Sequence, residues 1–271
     1  MDNYTLTILG CGTMGTAMLL SIMKATFQPY PAKFICCTGD KESAEALQKR
    51  FGDKIEASYG ESNISAVKRA DVIILGLKPY ICESVLEYVK SGLNGHQVII
   101  SLLAGWSIER LSKYSSCIAR VMTNTPAKFG HGMAIVSFSK EAQKYEDLVM
   151  NMIGTVGKAL KLPEKHMDAA TSLVGSGPAF CLLMLQAMAE GAVQMGIPYD
   201  IAKDCAAKVM EGTAKMVMET GEHPEALKAE VCTPGGTTIA GLLVMEDRGV
   251  RGGISRGVEK AAEVAALLGK K

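Results

Sequence analysis

Few folds accommodate the stretch Leu6–Gly15, Leu-Thr-Ile-Leu-Gly-Cys-Gly-Thr-Met-Gly. An apolar run long enough for one buried strand ends at Gly10. Glycines follow at Gly10, Gly12 and Gly15, and the helix-favouring Thr16-Ala-Met-Leu-Leu-Ser-Ile-Met-Lys begins at once. In a G-x-G-x-x-G turn between strand and helix, the first glycine allows a tight turn. The second lets the backbone approach a pyrophosphate, and the third packs helix on strand. The unpaired N–H groups of the helix start face that anion. A glycine-rich turn that binds nothing has the same spacing, but the strand before it and the helix after it favour a dinucleotide.

The rest of the amino-terminal half repeats the strand-then-helix pattern. Lys33-Phe-Ile-Cys-Cys-Thr38 reads as a second buried strand, followed by a helix from Glu42 to Phe51. Val72-Ile-Ile-Leu-Gly-Leu-Lys78-Pro79, Gln97 to Gly105 and Ile118-Ala-Arg-Val-Met122 read as further strands, continuous in apolar character as strands buried on both faces are. Helices are expected over Tyr80–Lys90, Ser107–Tyr114 and, on the surface, Lys140–Met152, with a short last strand at Gly132–Val136. Alternation of this kind predicts a doubly wound α/β sheet. The second strand ends in Cys37, Thr38 and Gly39, without the carboxylate that accepts from a ribose 2′-hydroxyl in NAD sites. Lys41 stands ready for a 2′-phosphate but Asp40 lies beside it, so the reading favours NADP(H) and leaves NAD(H) open. Lys78 sits at a strand's carboxyl end, where open α/β sheets bind ligands. Thr123-Asn124-Thr125-Pro126 is either a polar turn before proline or a loop on that ligand edge.

Near residue 160 the composition changes. Strand-like runs give way to Ala, Met, Leu and Glu, so residues 1–160 and 161–271 are expected to form a nucleotide-binding and an all-helical domain. Val174-Gly-Ser-Gly-Pro-Ala179 reads as a flexible segment feeding a long helix, with Ser176 or Gly177 as its cap. Phe180, Leu183, Met184, Ala187, Met188, Gly191 and Met195 form one apolar stripe, expected to be core. Asp204, Lys208, Glu211, Lys215 and Glu219 alternate in sign along the next helix as a solvated face. So much apolar helix in a small domain points to subunit association. Thr233-Pro234-Gly235-Gly236-Thr237-Thr238 then interrupts two helical patterns, offering exposed amides and hydroxyls suited to a carboxylate.

With 29 basic and 28 acidic residues the chain gives no electrostatic reason to expect nucleic acid or an anionic membrane. Eight cysteines are scattered without metal-ligand spacing, and reduced, mostly buried thiols in a cytoplasmic setting are expected, with no metal. The opening Met1-Asp2-Asn3-Tyr4 leads into a strand and does not read as a signal peptide. No run reads as the roughly 18 apolar residues of a membrane span.

Several separated motifs in order give the chain a resemblance to the Δ1-pyrroline-5-carboxylate reductase family. They are the glycine loop, Gly76-Leu77-Lys78-Pro79, Met122-Thr-Asn-Thr-Pro-Ala127, Val174-Gly-Ser-Gly-Pro-Ala179, and Glu219-Thr-Gly-Glu-His-Pro through Gly241-Leu-Leu-Val-Met-Glu246. The resemblance implies a Rossmann domain followed by a helical dimerisation domain, dimers assembled into larger rings, NADPH preference, and reduction of pyrroline-5-carboxylate to L-proline. It places the cofactor on Leu9, Gly10, Cys11, Gly12, Thr13, Met14 and Gly15, on Thr38, Asn63, Gly76, Leu77, Lys78 and Pro79, and on Leu102, Leu103 and Ala104. It places the substrate on Ser176, Thr233, Gly235, Gly236, Thr237 and Thr238, with Thr238 bonding the ring nitrogen. Lys78 and Thr238 are the candidate catalytic residues. The chain departs from the family at Thr233, where serine is common, and at Leu102-Leu103, where smaller residues are usual.

Hydride transfer to a protonated imine needs orientation more than a strong acid, because the substrate supplies its own polarisation. A hydroxyacid dehydrogenase of similar build would want a lysine or histidine on the long helix Phe180–Met195, and there is none. An NADP-sensing protein without catalysis is the other reading, and turnover with the cyclic imine separates it.

Overall fold

A computed structural model of the chain describes residues 3–268, Leu268 by its backbone only. The opening Met1-Asp2 and the end of the carboxy-terminal half, 269–271, lie outside the described residues. The first elements are β1 (Thr5–Leu9), α1 (Thr13–Lys24), β2 (Lys33–Thr38), α2 (Lys41–Phe51), β3 (Glu56–Tyr59), α3 (Ser62–Lys68), β4 (Val72–Leu75), α4 (Pro79–Val89), β5 (Val98–Ser101) and α5 (Ile108–Leu111). There follow β6 (Ile118–Met122), β7 (Gly132–Phe138), α6 (Glu146–Gly154), β8 (Gly157–Lys161) and α7 (Met167–Ala170). The strands form a single sheet in the order β3-β2-β1-β4-β5-β6-β7-β8. It is parallel from β3 to β6, β7 runs antiparallel to β6, and β8 is parallel to β7.

The continuous apolar runs are explained by burial of both faces. Ile8, Cys36, Ile74 and Ile100 pack in one cluster with Met18, Leu19 and Ile22 of α1. Leu9, Ile73, Leu75 and Ile99 pack in another with Ala66 and Val67 of α3 and Leu86 and Val89 of α4. Two strands escape a reading by hydrophobicity. β3, Glu-Ala-Ser-Tyr, closes one sheet edge; Glu56 pairs with Lys33 (2.6 Å) and with Arg69, and Gln48 Oε1 accepts from the Ala57 amide (2.9 Å). β8, Gly-Lys-Ala-Leu-Lys, closes the other edge and is mostly exposed, so strand structure continues through the expected change of character. The expected surface helix is a short 3-10 turn followed by α6, whose Leu148, Val149, Met152 and Ile153 are core residues.

Arg120, read as part of an apolar strand, is a buried cation. Its Nη1 lies 3.2 Å from Glu164 Oε1 and its Nη2 3.8 Å from Asp168 Oδ1, and Glu164 Oε1 also accepts from the Ile108 amide at the start of α5 (2.7 Å). Removing Glu164 leaves the buried guanidinium only the more distant and exposed Asp168. Glu164→Ala is therefore expected to cost about 3 kcal/mol, a fall in Tm of about 10 °C by calorimetry. An unchanged Tm overturns this account.

The chain divides into two compact units, residues through Ser176 with the end of the chain from Ala261, and Gly177–Lys260. The second holds α8 (Gly177–Gln194), α9 (Tyr199–Thr220), α10 (Pro224–Val231), α11 (Thr237–Asp247) and the first part of α12 (Val250–Leu268). Its seam joins Leu185, Ala189 and Ala192 of α8 to Ala202 and Ala206 of α9. The stripe expected to be core is open instead, with Leu183 72% and Met195 83% exposed. The charged ladder is solvated as expected, Glu211 pairing with Lys208 (2.8 Å) and Lys215 (3.0 Å).

The segment expected to be flexible before α8 is a π-helical turn, Thr171–Ser176, continuous with the helix. The helical run Glu164–Gln194, 31 residues, contains an 18-residue stretch of mean hydropathy 1.5 and is long and apolar enough to cross a membrane by length and composition. This corrects the reading that no run qualifies. The Gly-Ser-Gly-Pro segment, expected to be flexible, does not interrupt the helix.

Candidate active site

The order of strands reverses direction between β1 and β4, and the crevice beyond such a point is where open α/β sheets take ligands. Leu9 and Leu75 lie side by side at the two strand ends, and the Gly76 amide donates to the Leu9 carbonyl (2.9 Å). The amides of Gly10 and Cys11 both donate to the Cys37 carbonyl at the end of β2 (3.1 and 2.9 Å). Gly10 has φ +94°, and a Cβ there would meet Leu77 Cδ2 at 2.7 Å and the Gly76 carbonyl carbon at 2.9 Å. A Cβ on Gly15 would overlap the Gly10 carbonyl oxygen, which is how α1 is drawn against its strand. Gly12, the cap of α1, differs, since a Cβ on it would meet nothing within 4 Å among the described residues beyond its own chain neighbours. No side chain caps that helix.

Beyond Gly12 lies a cleft of ≈ 730 Å³. Of the expected cofactor residues it is lined by Leu9, Gly10, Cys11, Gly12, Thr38, Asn63, Gly76, Leu77 and Lys78. Thr13, Met14 and Gly15 do not line it. Thr13 and Met14 open α1, and Gly15 faces the strand. Pro79 is the first residue of α4, and its carbonyl accepts from Trp106 Nε1 (3.3 Å). Leu102, Leu103 and Ala104 follow β5 on the same carboxyl edge outside this cleft, Leu103 being buried. Lys78 is exposed, its Nζ 5.9 Å from the centre of the Tyr80 ring.

Sequence reasoning missed the wall formed by α4. Cys82, Leu86 and Val89 give it a buried core face, while Ile81, Val85 and Tyr88 turn a second face to the cleft. Apolar positions on two faces of one short helix are the available signal, and the helical spacing of Ile81, Val85 and Val89 masks it by fitting a single stripe. Among the described residues, no carboxylate lines the far rim. Asp40 does not line the cleft; it caps α2, Oδ1 accepting from the Ser43 amide (2.8 Å) and Oδ2 from its hydroxyl (2.9 Å), which holds its carboxyl below the usual range. Thr38, Gly39 and Ser43 line the rim instead. Lys41 Nζ is paired with Glu45 (3.5 Å) and stays outside. Asn63 Nδ2 donates to the Thr38 carbonyl (2.9 Å), and its buried Oδ1 has no partner. Open space over Gly12, an uncapped helix start and an unpartnered amide oxygen fit a dinucleotide.

Within the second unit, Thr233–Gly236 links α10 to α11. Gly235 has φ +67°, the Gly236 amide donates to the Thr233 carbonyl (3.0 Å), and a Cβ on Gly236 would overlap Thr233 Oγ1. Thr237 and Thr238 are the first residues of α11, whose cap, Gly236, again offers no side-chain acceptor. Thr237 is exposed and Thr238 half-buried. Ser176 closes the π-helical turn. His223 is a structural residue, its Nδ1 accepting from the Glu225 amide as the cap of α10 (3.2 Å).

Comparison with known proteins agrees with this architecture. Residues 164–268 match the family model for pyrroline-5-carboxylate reductase dimerisation, and residues 5–105 that for NADP oxidoreductase, coenzyme F420-dependent. The pyrroline-5-carboxylate reductase of Kluyveromyces lactis is 50% identical over 100% of both chains, and that of Schizosaccharomyces pombe 38% identical over 97% of this chain and 98% of its own. The chain belongs to the pyrroline-5-carboxylate reductase family. The crystal structure of Plasmodium falciparum pyrroline carboxylate reductase with NADP bound is 27% identical, with a TM-score of 0.84 over 99% of each chain. A member of this family therefore carries a Rossmann-type sheet and a helical dimerisation domain in one chain.

Proposed function

We propose that the chain is an oxidoreductase that reduces the C=N bond of Δ1-pyrroline-5-carboxylate to give L-proline, the last step of proline biosynthesis, with NADPH preferred and NADH possible. The observation that carries this reading is family membership over the whole chain at 50% identity. The cleft supports its cofactor half: Gly12 leaves room for the pyrophosphate, the start of α1 offers it amides, and Thr38 and Ser43 face the ribose end without a carboxylate between them. NADPH supplies a hydride to the imine carbon while the protonated ring nitrogen becomes the amine. Thr233 to Thr238 hold the substrate carboxylate and Thr238 Oγ1 bonds the ring nitrogen; Ser176 is assigned to the substrate, and Lys78 with Thr238 to catalysis. A protonated imine needs no strong acid from the protein, so catalysis is mainly orientation.

The same proposal assigns residues 1–160 to the nucleotide and 161–271 to dimerisation and substrate. It takes the protein to be a homodimer, in larger rings, in the cytoplasm. The open faces of α8 and α11, with Leu183, Met188 and Leu243 exposed, support association, and eight free thiols support a reducing setting. Loss of NADPH absorbance on adding the cyclic imine tests the activity; no turnover with either coenzyme overturns it. Binding has an independent readout, because Trp106 is the chain's only tryptophan and bonds to the Pro79 carbonyl behind the cleft. NADPH is expected to quench its emission in a saturable titration, and 2′,5′-ADP, which lacks the nicotinamide, is not. Unchanged emission with NADPH contradicts the assignment of the cleft.

A further inference from the structure

Among the described residues, two buried side-chain oxygens have no hydrogen-bond partner, Asn63 Oδ1 and Thr123 Oγ1. Native proteins rarely leave such groups unpaired, and a site that awaits a ligand is one of the few reasons. Asn63 lies in the cleft. Thr123, 8% exposed, lies outside its lining, yet it follows β6 at the carboxyl edge as Gly10 follows β1, Gly76 follows β4 and Leu102 follows β5. The next residue already has its work, since Asn124 Oδ1 accepts from the Met133 amide (3.1 Å) and its carbonyl from the Ala127 amide (3.1 Å). The Thr123 hydroxyl, which can both donate and accept, is the polar group left over.

A dinucleotide whose pyrophosphate lies over the end of β1 sends its two nucleosides in opposite directions along the edge. Thr38 and Asn63 occupy the β2 and β3 side, so the nicotinamide runs toward β4, β5 and β6. From β1 to β6 is three strand spacings, about 14 Å. We propose that the Thr123 hydroxyl binds the carboxamide of the nicotinamide ring. A carboxamide presents an acceptor oxygen and a donor NH2, and the threonine hydroxyl satisfies either. This rests on the NADPH reading above and adds the residue that orients the ring for hydride transfer.

Thr123→Val keeps the shape of the side chain and removes the hydroxyl, and Thr123→Ser keeps the hydroxyl. Calorimetric titration is expected to give about tenfold weaker NADPH binding for the valine variant, the loss of one hydrogen bond. Its affinity for 2′,5′-ADP should be unchanged, and its Tm without cofactor should equal or exceed that of the natural chain, because an unpaired buried hydroxyl has gone. The serine variant should bind NADPH nearly as the natural chain does. Unchanged NADPH affinity in Thr123→Val overturns the proposal. So does an equal loss of 2′,5′-ADP binding, a lower Tm or failure to fold, or an effect confined to the KM of the imine. If the natural chain itself binds no NADPH, the cofactor reading fails first, and that result is distinct from all of these.

Discussion

Thr238→Ala is expected to lower kcat/KM for Δ1-pyrroline-5-carboxylate by about a hundredfold, the usual cost of one hydrogen-bonding group directed at the reacting centre. The Kd for NADPH, read from Trp106 quenching, should stay as it was. Thr238 is the second residue of α11, and alanine favours a helix more than threonine does, so the fold has no reason to suffer. The loss has an upper limit. Under the proposed function the ring nitrogen would carry its own charge, and the first-turn amides behind Gly236, a cap without a side chain, would still address the carboxylate. Thr238→Ser restores the hydroxyl and should recover most of the rate, which a purely steric effect would not allow. Equal losses of NADPH affinity and kcat/KM would remove Thr238 from the substrate site.

How far the sequence reveals this molecule depends on which side chains speak through burial. β1, β2, β4, β5 and β6 are apolar on both faces, and their runs mark them without ambiguity. β3 and β8 close the sheet edges and need little burial, so Glu-Ala-Ser-Tyr and Gly-Lys-Ala-Leu-Lys carry no pattern to find. Arg120 reads as an intruder in an apolar strand because its partners, Glu164 and Asp168, stand far along the chain. The glycine loop was readable because each glycine answers a steric demand. The α4 wall is not, since Ile81, Val85 and Val89 fit one helical stripe while the helix has two apolar faces.

The stripe on α8 was misassigned for a related reason. Periodicity shows that a face must be covered without showing by what. Leu183, Met188 and Met195 need cover that the single chain does not give them, and the small seam of Ala189, Ala202 and Ala206 is what the chain supplies itself. The segment 164–268 that carries this open stripe matches the family model for pyrroline-5-carboxylate reductase dimerisation.

The glycine loop allows the sharpest separation of binding from folding, because two of its members face opposite ways. Gly12→Val places its branched side chain in open space above the start of α1, where the new Cβ meets nothing within 4 Å among the described residues beyond its own chain neighbours. The fold should be untouched, with a Tm close to that of the natural chain, while the pyrophosphate loses its approach to the α1 amides. NADPH affinity is then expected to fall by more than about a hundredfold, since close backbone contact at the second glycine is what the motif provides. Gly15→Ala reverses the pattern. Its Cβ would overlap the Gly10 carbonyl, and that backbone is held between β1 and the Gly76 turn and cannot step aside. Overpacking of this kind costs about 1–3 kcal/mol, so Gly15→Ala should melt several degrees early, and its weakened NADPH binding should follow from a displaced helix. Thermal unfolding and NADPH titration on the two variants together decide the matter. If Gly12→Val retained full NADPH affinity, the cleft beside it would not be the coenzyme site.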